Sequence, residues 1–200
     1  MSKLLSSPAR ALLAGVAITA LVLASWIAIE GGDAIGLASF LLRFLHVLSA
    51  MIWIGLVWFV NLVQARALAE ADEAGRAVMT RTIVPRVALH FRHASHATVL
   101  SGALLLVPTG YLLSGTLFSA PVFVPAAREL LLWLGVAGGL AMWAIVHLVI
   151  WPRLELALGR RPGKPDAKAA ARASVALWAR VNLMLMLPVT LAMVAAAHLY

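Results

Sequence analysis

Five long stretches of apolar residues, separated by shorter segments that carry most of the charge, dominate the pattern along the chain. A helix that crosses the hydrocarbon layer of a membrane needs about 20 apolar residues, because only internal hydrogen bonds satisfy its backbone there. The pattern therefore predicts five transmembrane helices. We expect them at about residues 11–29, 36–63, 94–113, 130–151 and 175–199.

The first of these stretches, Ala11–Ile29, follows Lys3 and Arg10 and so has the outline of a secretory signal peptide. The apolar core of a signal peptide is about 7–15 residues long and is followed by a small-residue cleavage site. This stretch is longer, and no convincing cleavage site follows it before Glu30. We therefore expect it to stay in the membrane as a helix.

The segment 65–89, between the second and third predicted spans, has a different composition. It is rich in Ala, Arg and Glu, and Val78, Ile83 and Val87 recur at helical spacing. This pattern is typical of an amphipathic helix at the membrane interface, and Pro85 is expected to bend it. Neither a repeat nor a domain boundary interrupts the sequence, so residues 1–200 are expected to form one membrane domain.

Composition supports this fold class. Apolar residues make up 63% of the 200 residues and charged residues 12%, against roughly 45–50% and 25% in soluble domains. A soluble fold of this size could not bury so much apolar surface. We predict an all-α integral membrane protein with five transmembrane helices, in which helices 2–5 form a four-helix bundle.

The charge of +8 arises from 16 Lys and Arg against 8 Asp and Glu. Fourteen of the basic residues lie in the N-terminal segment and in the connections between spans 2 and 3 and between spans 4 and 5. Five spans place these three segments on one side, which the positive-inside rule assigns to the cytoplasm. The N-terminus is thus expected in the cytoplasm and the C-terminus outside, and the charge does not indicate nucleic acid.

The candidate chemistry lies in histidines. The chain has six His and no Cys, which excludes disulfides, thiolate metal sites and covalent haem attachment. In the second span, Arg43 and His46 lie one turn apart, and His46 is about 5 Å deeper if Arg43 extends to the surface. Ser49 and Ala50, followed by Trp53, leave space for a flat macrocycle beside His46. The alternative is a histidine that bonds a neighbouring helix.

The other histidines fall into two layers. His46 and His198 belong to the predicted outer half of the membrane, and His96 and His147 to the inner half. A b-type haem held by two imidazoles needs ligands at similar depth on facing helices. The layering therefore predicts one or two haem b groups, which would form an electron path across the membrane. A purely interfacial position is the alternative for His198.

The third span opens with His90, His93 and His96 at three-residue spacing. Residues three apart share a helix face, so two of these rings could bind one metal ion. His96 is the deepest and the strongest ligand candidate, and His93 is a weaker one. The alternative is a polar helix start at the interface, which we favour for His90.

Several short stretches carry a resemblance to a known family. They lie in order from about residue 38 to the end: 43–46, 53–56, 59–64, 91–92, 100–102, 149–152, 180–182, 187–188 and 193–196. With these, the chain resembles the membrane domain of the cytochrome-c-linked bacterial urate oxidases (urate hydroxylases), especially their short, stand-alone members. It is more widely similar to copper-resistance D-type proteins and to the membrane protoporphyrinogen oxidase.

The resemblance implies a helical module of the bacterial inner membrane that binds haem b, with His46 as the position carried over. The longer relatives have a cytochrome c domain with a Cys-x-x-Cys-His site, and this chain has no Cys. Relatives often have aromatic or amide residues at the positions of His90, His93, His147 and His198. The resemblance therefore gives those four residues no support.

Three functions remain open from the sequence. The leading one is a cytochrome-b-like electron-transfer subunit, with a cytochrome c or a quinone as redox partner. The second is an oxidoreductase of the urate-oxidase or protoporphyrinogen-oxidase type, for which Arg43, Asn61 and Gln64 are the polar groups available in the spans. The third is a cofactor-free accessory subunit that packs against partner subunits, or against another copy, through small residues such as those at 135–139.

Overall fold

The computed structural model describes residues 5–111 and 127–198, and these ranges are helical with no strand, which confirms the predicted all-α class. The helices are α1 Pro8–Glu30, α2 Ala34–Trp58, α3 Ala65–Glu70, α4 Glu73–Leu105, α5 Ala127–Ala144, α6 Trp151–Ala157 and α7 Pro165–His198. A first π-helical segment, Phe59–Gln64, joins α2 to α3. A second, Ile145–Ile150, joins α5 to α6.

Four helical stretches in the described ranges are long and apolar enough to cross a membrane: Pro8–Glu30, Ala34–Glu70, Glu129–Ala157 and Pro165–His198. They correspond to predicted spans 1, 2, 4 and 5, so the chain is a multi-pass membrane protein. The third predicted span, 94–113, begins within α4, which ends at Leu105. Its last two residues lie outside the described residues, as do Lys3, Leu199 and most of the predicted outer connection 114–128.

The segment between spans 2 and 3 is arranged differently from the prediction. After α3, Asp72 caps a new helix, with its carboxylate accepting a hydrogen bond of 2.8 Å from the Gly75 N–H. This helix, α4, then runs without a break through Pro85 into the third span. Its 33 residues correspond to about 50 Å, which exceeds the hydrocarbon thickness of about 30 Å. Part of the expected interfacial helix is therefore a direct extension of the third span.

The chain divides into two compact units, Met1–Phe40 and Leu41–Tyr200. In the first, Ser7 caps α1 by accepting a hydrogen bond from the Arg10 N–H at 3.3 Å. The rings of Trp26 and Phe40 lie 5.5 Å apart. None of the residues of α1 is buried, and a helix that is apolar on every side suits contact with lipid.

The second unit has one apolar core built from four helices. Trp53 and Val57 of α2, Ala94 of α4, Met142 of α5 and Met186 of α7 form a single buried cluster. The unbranched Met side chains fill the irregular space between the helices. Predicted spans 2–5 thus contribute to a common core, as the expected four-helix grouping requires.

The side chain of Asn61 accounts for the first π-helical segment. The Asn61 side-chain amide donates to the Val57 carbonyl at 2.9 Å and to the Ala179 carbonyl of α7 at 3.2 Å. A side chain that bonds the carbonyl four residues back competes with the backbone N–H for that acceptor. The backbone hydrogen bonds here reach five residues back instead of four, so that the Ala65 N–H bonds the Val60 carbonyl.

Pro152 accounts for the second π-helical segment. Pro152, which directly follows this segment's C-cap Trp151, has no N–H, and its ring crowds the carbonyl four residues back. A wider turn relieves that contact, and the Trp151 N–H bonds the Val146 carbonyl. The Arg153 guanidinium donates to the Val149 carbonyl at 3.0 Å. This widened turn carries His147.

Helices α5 and α7 pack closely at one of two adjacent glycines, which gives a first prediction. A Cβ on Gly138 would collide with a γ-methyl of Val189, whereas a Cβ on Gly139 would meet open space. We expect Gly138→Ala to lower the free energy of unfolding by about 1–3 kcal/mol, because Val189 is stiff and cannot move aside. Gly139→Ala should leave it unchanged or slightly higher, since alanine favours helix. Denaturation of the purified variants in detergent micelles measures both, and equal stability would contradict this packing.

Candidate functional site

His46 is held in place by a neighbouring helix. Its Nδ1 lies 2.9 Å from the Thr98 carbonyl oxygen of α4. Because a carbonyl can only accept, Nδ1 must carry the hydrogen, and Nε2 of the neutral ring carries the lone pair. The ring is half-buried, and within the part of the chain that the structure describes, Nε2 has no hydrogen-bond partner. The interaction is the bond to a neighbouring helix that was predicted from the sequence as the alternative to haem ligation. It fixes both the orientation and the tautomer of the ring and leaves the Nε2 lone pair outward of that bond.

A face of small residues on α4 gives His46 its place. A Cβ on Gly102 would lie 2.8 Å from the ring's Cε1 and 2.9 Å from its Nδ1, so only glycine allows this approach. Ala94 and Thr98 precede Gly102 at four-residue intervals on the same face. This face was not predicted from the sequence, although small residues four apart in an apolar helix are a signal of close helix packing.

Hydroxyl groups on the same face of α4 are also buried. Ser95, Thr98 and Ser101 are at most 6% exposed. Their hydroxyls donate to carbonyls of α4 itself, from Ser95 to Arg92 at 2.9 Å, from Thr98 to Ala94 at 2.8 Å and from Ser101 to Ala97. Their polar atoms are thereby satisfied without water, as a membrane interior demands.

The other residues that were predicted around His46 have surroundings of their own. Arg43 is exposed. The Ser49 hydroxyl donates to the Leu45 carbonyl at 2.7 Å. Trp53 is 3% exposed and belongs to the core cluster, and its buried Nε1 has no partner in the described ranges. Trp53 is therefore a core residue, and His46 with Thr98 and Gly102 forms the first candidate site.

The predicted inner layer contains a second candidate site. The rings of His96 and His147 are stacked, with centroids 4.0 Å apart and planes 26° apart. Trp143 lies beside both, at 4.8 Å from His147 and 5.8 Å from His96. The Trp143 indole N–H donates to His96 Nδ1 at 3.1 Å. Since Nδ1 accepts, the hydrogen of the neutral His96 ring is on Nε2.

His147 has its own partner on α4. Its Nε2 lies 3.0 Å from the Ser95 hydroxyl oxygen, and the same hydroxyl contacts the Arg92 carbonyl. The assignment that satisfies both contacts has Ser95 donating to the carbonyl and accepting from the His147 Nε2–H. The Arg92 guanidinium lies 4.5 Å above the Trp151 ring, a cation–π contact. We refer to Arg92, Ser95, His96, Trp143, His147 and Trp151 as the inner aromatic group.

The remaining histidines lie on exposed surfaces. His90 and His198 each bond a carbonyl of their own helix, Arg86 at 2.8 Å and Val194 at 3.0 Å, and His93 is exposed. The described residues show no contact between His46 and His198. They also contain no group of three or more His, Asp or Glu side chains placed to hold a metal ion.

The two candidate sites differ in their fit to haem b. A haem held by both His96 and His147 would need space between the two rings, and their face-to-face stack at 4.0 Å leaves none. His96 also has its hydrogen on Nε2, the wrong tautomer for ligation through that atom. His46 fits, because a ligating histidine characteristically donates its other N–H to a carbonyl or carboxylate. Thr98 provides that carbonyl, and Nε2 is left with its lone pair.

The comparisons with known proteins do not identify a function for this chain. No family model, no curated protein and no solved structure matches the chain. The resemblance to membrane urate oxidases therefore rests on the short stretches described from the sequence. The geometry of the histidines is therefore the observation that bears most directly on function.

The Trp143 hydrogen bond gives a second prediction. Trp143→Phe keeps an aromatic ring but removes the N–H, so His96 should exchange between its two neutral tautomers. In the unchanged protein we expect a single tautomer with hydrogen on Nε2. Nitrogen-15 NMR of histidine-labelled protein distinguishes the two states. Trp133→Phe is the matched control, because Trp133 Nε1 has no partner in the described ranges. A single tautomer in Trp143→Phe would contradict the assignment.

Proposed function

We propose that the chain is a membrane-embedded electron-transfer subunit of the cytochrome b type, holding one b-type haem through Nε2 of His46. The observation that carries the proposal is the hydrogen bond of 2.9 Å between His46 Nδ1 and the Thr98 carbonyl. When bound, haem supplies a reversible one-electron carrier. Thr98 would orient the ligand, and Gly102 would leave space for the ring.

The proposal narrows the number of haems to one. The sequence allowed a second site at His96 and His147, but their stacked rings do not fit it. Within the described residues no second imidazole lies beside His46, so the proposal has His46 alone of this chain's histidines hold the haem. The resemblance to urate oxidases independently favours His46 as the haem position.

The same proposal includes location and partners. The distribution of basic residues supports a cytoplasmic N-terminus and an external C-terminus, and the resemblance supports the bacterial inner membrane. His46 then lies in the outer half, where a cytochrome c at the outer surface or a quinone in the membrane could exchange electrons with it. Apolar helices exposed to the surroundings suit contact with lipid and with partner subunits.

A reduced-minus-oxidised spectrum of the purified protein tests this function. We expect the bands of a b-type cytochrome, and we expect added ferric cytochrome c or a short-chain quinone to reoxidise the reduced protein. Absence of the bands, together with stable co-purification of other subunits, would instead support the cofactor-free accessory subunit. Reduction of an added acceptor that depends on urate or protoporphyrinogen would support the enzyme.

A further inference from the structure

His96 presents a hydrogen-bond donor at the surface of the helix bundle. Its ring is exposed and lies one turn after Arg92, a rise of about 6 Å along the helix. Arg92 itself stacks on Trp151, close to Arg153 in the sequence. On the positive-inside prediction, these basic residues lie at the cytoplasmic ends of the third and fourth predicted spans, which places His96 about one helical turn inside the membrane.

The donor has no acceptor among the residues that the structure describes. Because Trp143 donates to Nδ1, the neutral ring carries its hydrogen on Nε2, and no residue in the described ranges accepts from Nε2. The Ser95 hydroxyl is engaged by Arg92 and His147. The remaining nitrogen of His147, Nδ1, belongs to a ring stacked face to face on His96, which does not lie in the plane of the His96 N–H. At that depth an unsatisfied polar group costs several kcal/mol, so an acceptor supplied by a molecule dissolved in the bilayer would stabilise the site.

The shape of the surroundings favours one kind of molecule. Trp143 is half-buried and borders the ring pair, so the site offers a flat aromatic surface as well as a donor. A quinone headgroup is a flat ring with carbonyl acceptors, and it stacks well on aromatic side chains. The ester carbonyl of a phospholipid also accepts a hydrogen bond, but it has no ring to use the aromatic surfaces.

We propose that the inner aromatic group binds a membrane quinone, with the His96 Nε2–H donating to a quinone carbonyl and the Trp143 ring contacting the headgroup. Trp143 acts as a positioning residue, because its N–H places the hydrogen of His96 on the outward-facing nitrogen. The site is separate from the haem ligand His46. The proposal does not rest on the proposed haem function, and the measurement that tests it needs no haem.

The test uses histidine-labelled protein in nanodiscs of ether-linked phosphatidylcholine, which have no ester carbonyls. Addition of decylubiquinone should shift the nitrogen-15 resonance of His96 Nε2 in a saturable way, whereas decylbenzene, with the same chain and no carbonyl, should leave it in place. His96→Phe should weaken decylubiquinone binding, measured by quenching of tryptophan fluorescence, by about tenfold. His90→Phe, an exposed histidine on the same helix, should bind like the unchanged protein.

Three results would overturn the proposal. The first is no shift of His96 with decylubiquinone in the unchanged protein, which remains decisive even if His96→Phe fails to fold. The second is equal decylubiquinone affinity in folded His96→Phe. The third is a His96 shift that appears on transfer to ester-linked lipid and is not changed further by decylubiquinone, which would identify a lipid carbonyl as the acceptor.

Discussion

His46→Ala is expected to reduce the haem b content of the purified protein to background while the helices remain folded. The substitution removes the nitrogen that we assign to iron, together with the hydrogen bond to the Thr98 carbonyl. The ring is half-buried, so its loss should cost little of the core formed around Trp53 and Met142. Absorbance at the Soret band, relative to the helical signal in circular dichroism, measures the effect.

The matched control for this experiment is His198→Ala. His198 was predicted to share the outer layer with His46, but it is exposed and bonds the Val194 carbonyl of its own helix. Its removal should leave the haem content unchanged. Full haem content in His46→Ala, or equal loss in both variants, would contradict the assignment of His46.

Gly102→Ala is expected to weaken haem binding by about 10–100-fold, the usual range for residues that orient a ligand. The added Cβ would lie 2.8 Å from Cε1 of His46, so the ring or the helix has to shift and the bond to Thr98 is strained. The intrinsic helix preference of alanine works in the opposite direction, by about 1 kcal/mol. A loss of affinity can therefore be attributed to the ring contact.

Titration of haem into the haem-free variant measures this affinity. Gly55→Ala is the matched control, because Gly55 is also helical, lies on α2 itself and has open space where the Cβ would be. It should bind haem as the unchanged protein does. Equal affinity of the Gly102 and Gly55 variants would show that the close approach of α4 to His46 has no part in binding.

Hydropathy predicted most of the helical architecture because transmembrane helices need long apolar stretches. Four described helical stretches meet that requirement. The boundary between the segment 65–89 and the third span differs from the prediction, since the composition of that segment indicated a separate interfacial helix with Pro85 as a bend within it. Helix α4 continues through Pro85, and the length of a helix beyond the membrane is not limited by hydropathy.

The site was predicted only in part, because its contacts join residues distant in sequence. Depth alone placed His96 and His147 in one layer, and the structure brings their rings into contact. The tautomers depend on Thr98 for His46 and on Trp143 for His96, which lie 52 and 47 residues away. Nothing local to either histidine identifies these partners, so the difference in their fit to haem could not be derived from spacing.

One of the two π-helical segments can be predicted from local sequence, and the other cannot. Pro152 is a visible signal, because it lacks the N–H that a regular helix needs. The segment at Asn61 depends on the Ala179 carbonyl of α7, which only the packed structure brings close. Both widened turns contact α7, and one of them positions His147, consistent with the frequent occurrence of such turns near functional residues.

The number of haem b groups per chain tests the central claim most directly. Extraction as the pyridine haemochrome, set against protein measured by amino-acid analysis, gives this number for the purified protein. We expect one haem per chain, and still one in His147→Ala, because the inner pair does not fit haem. Two haems, or a loss on replacement of His147, would contradict a single site at His46, and a chain without haem would contradict the proposed function itself.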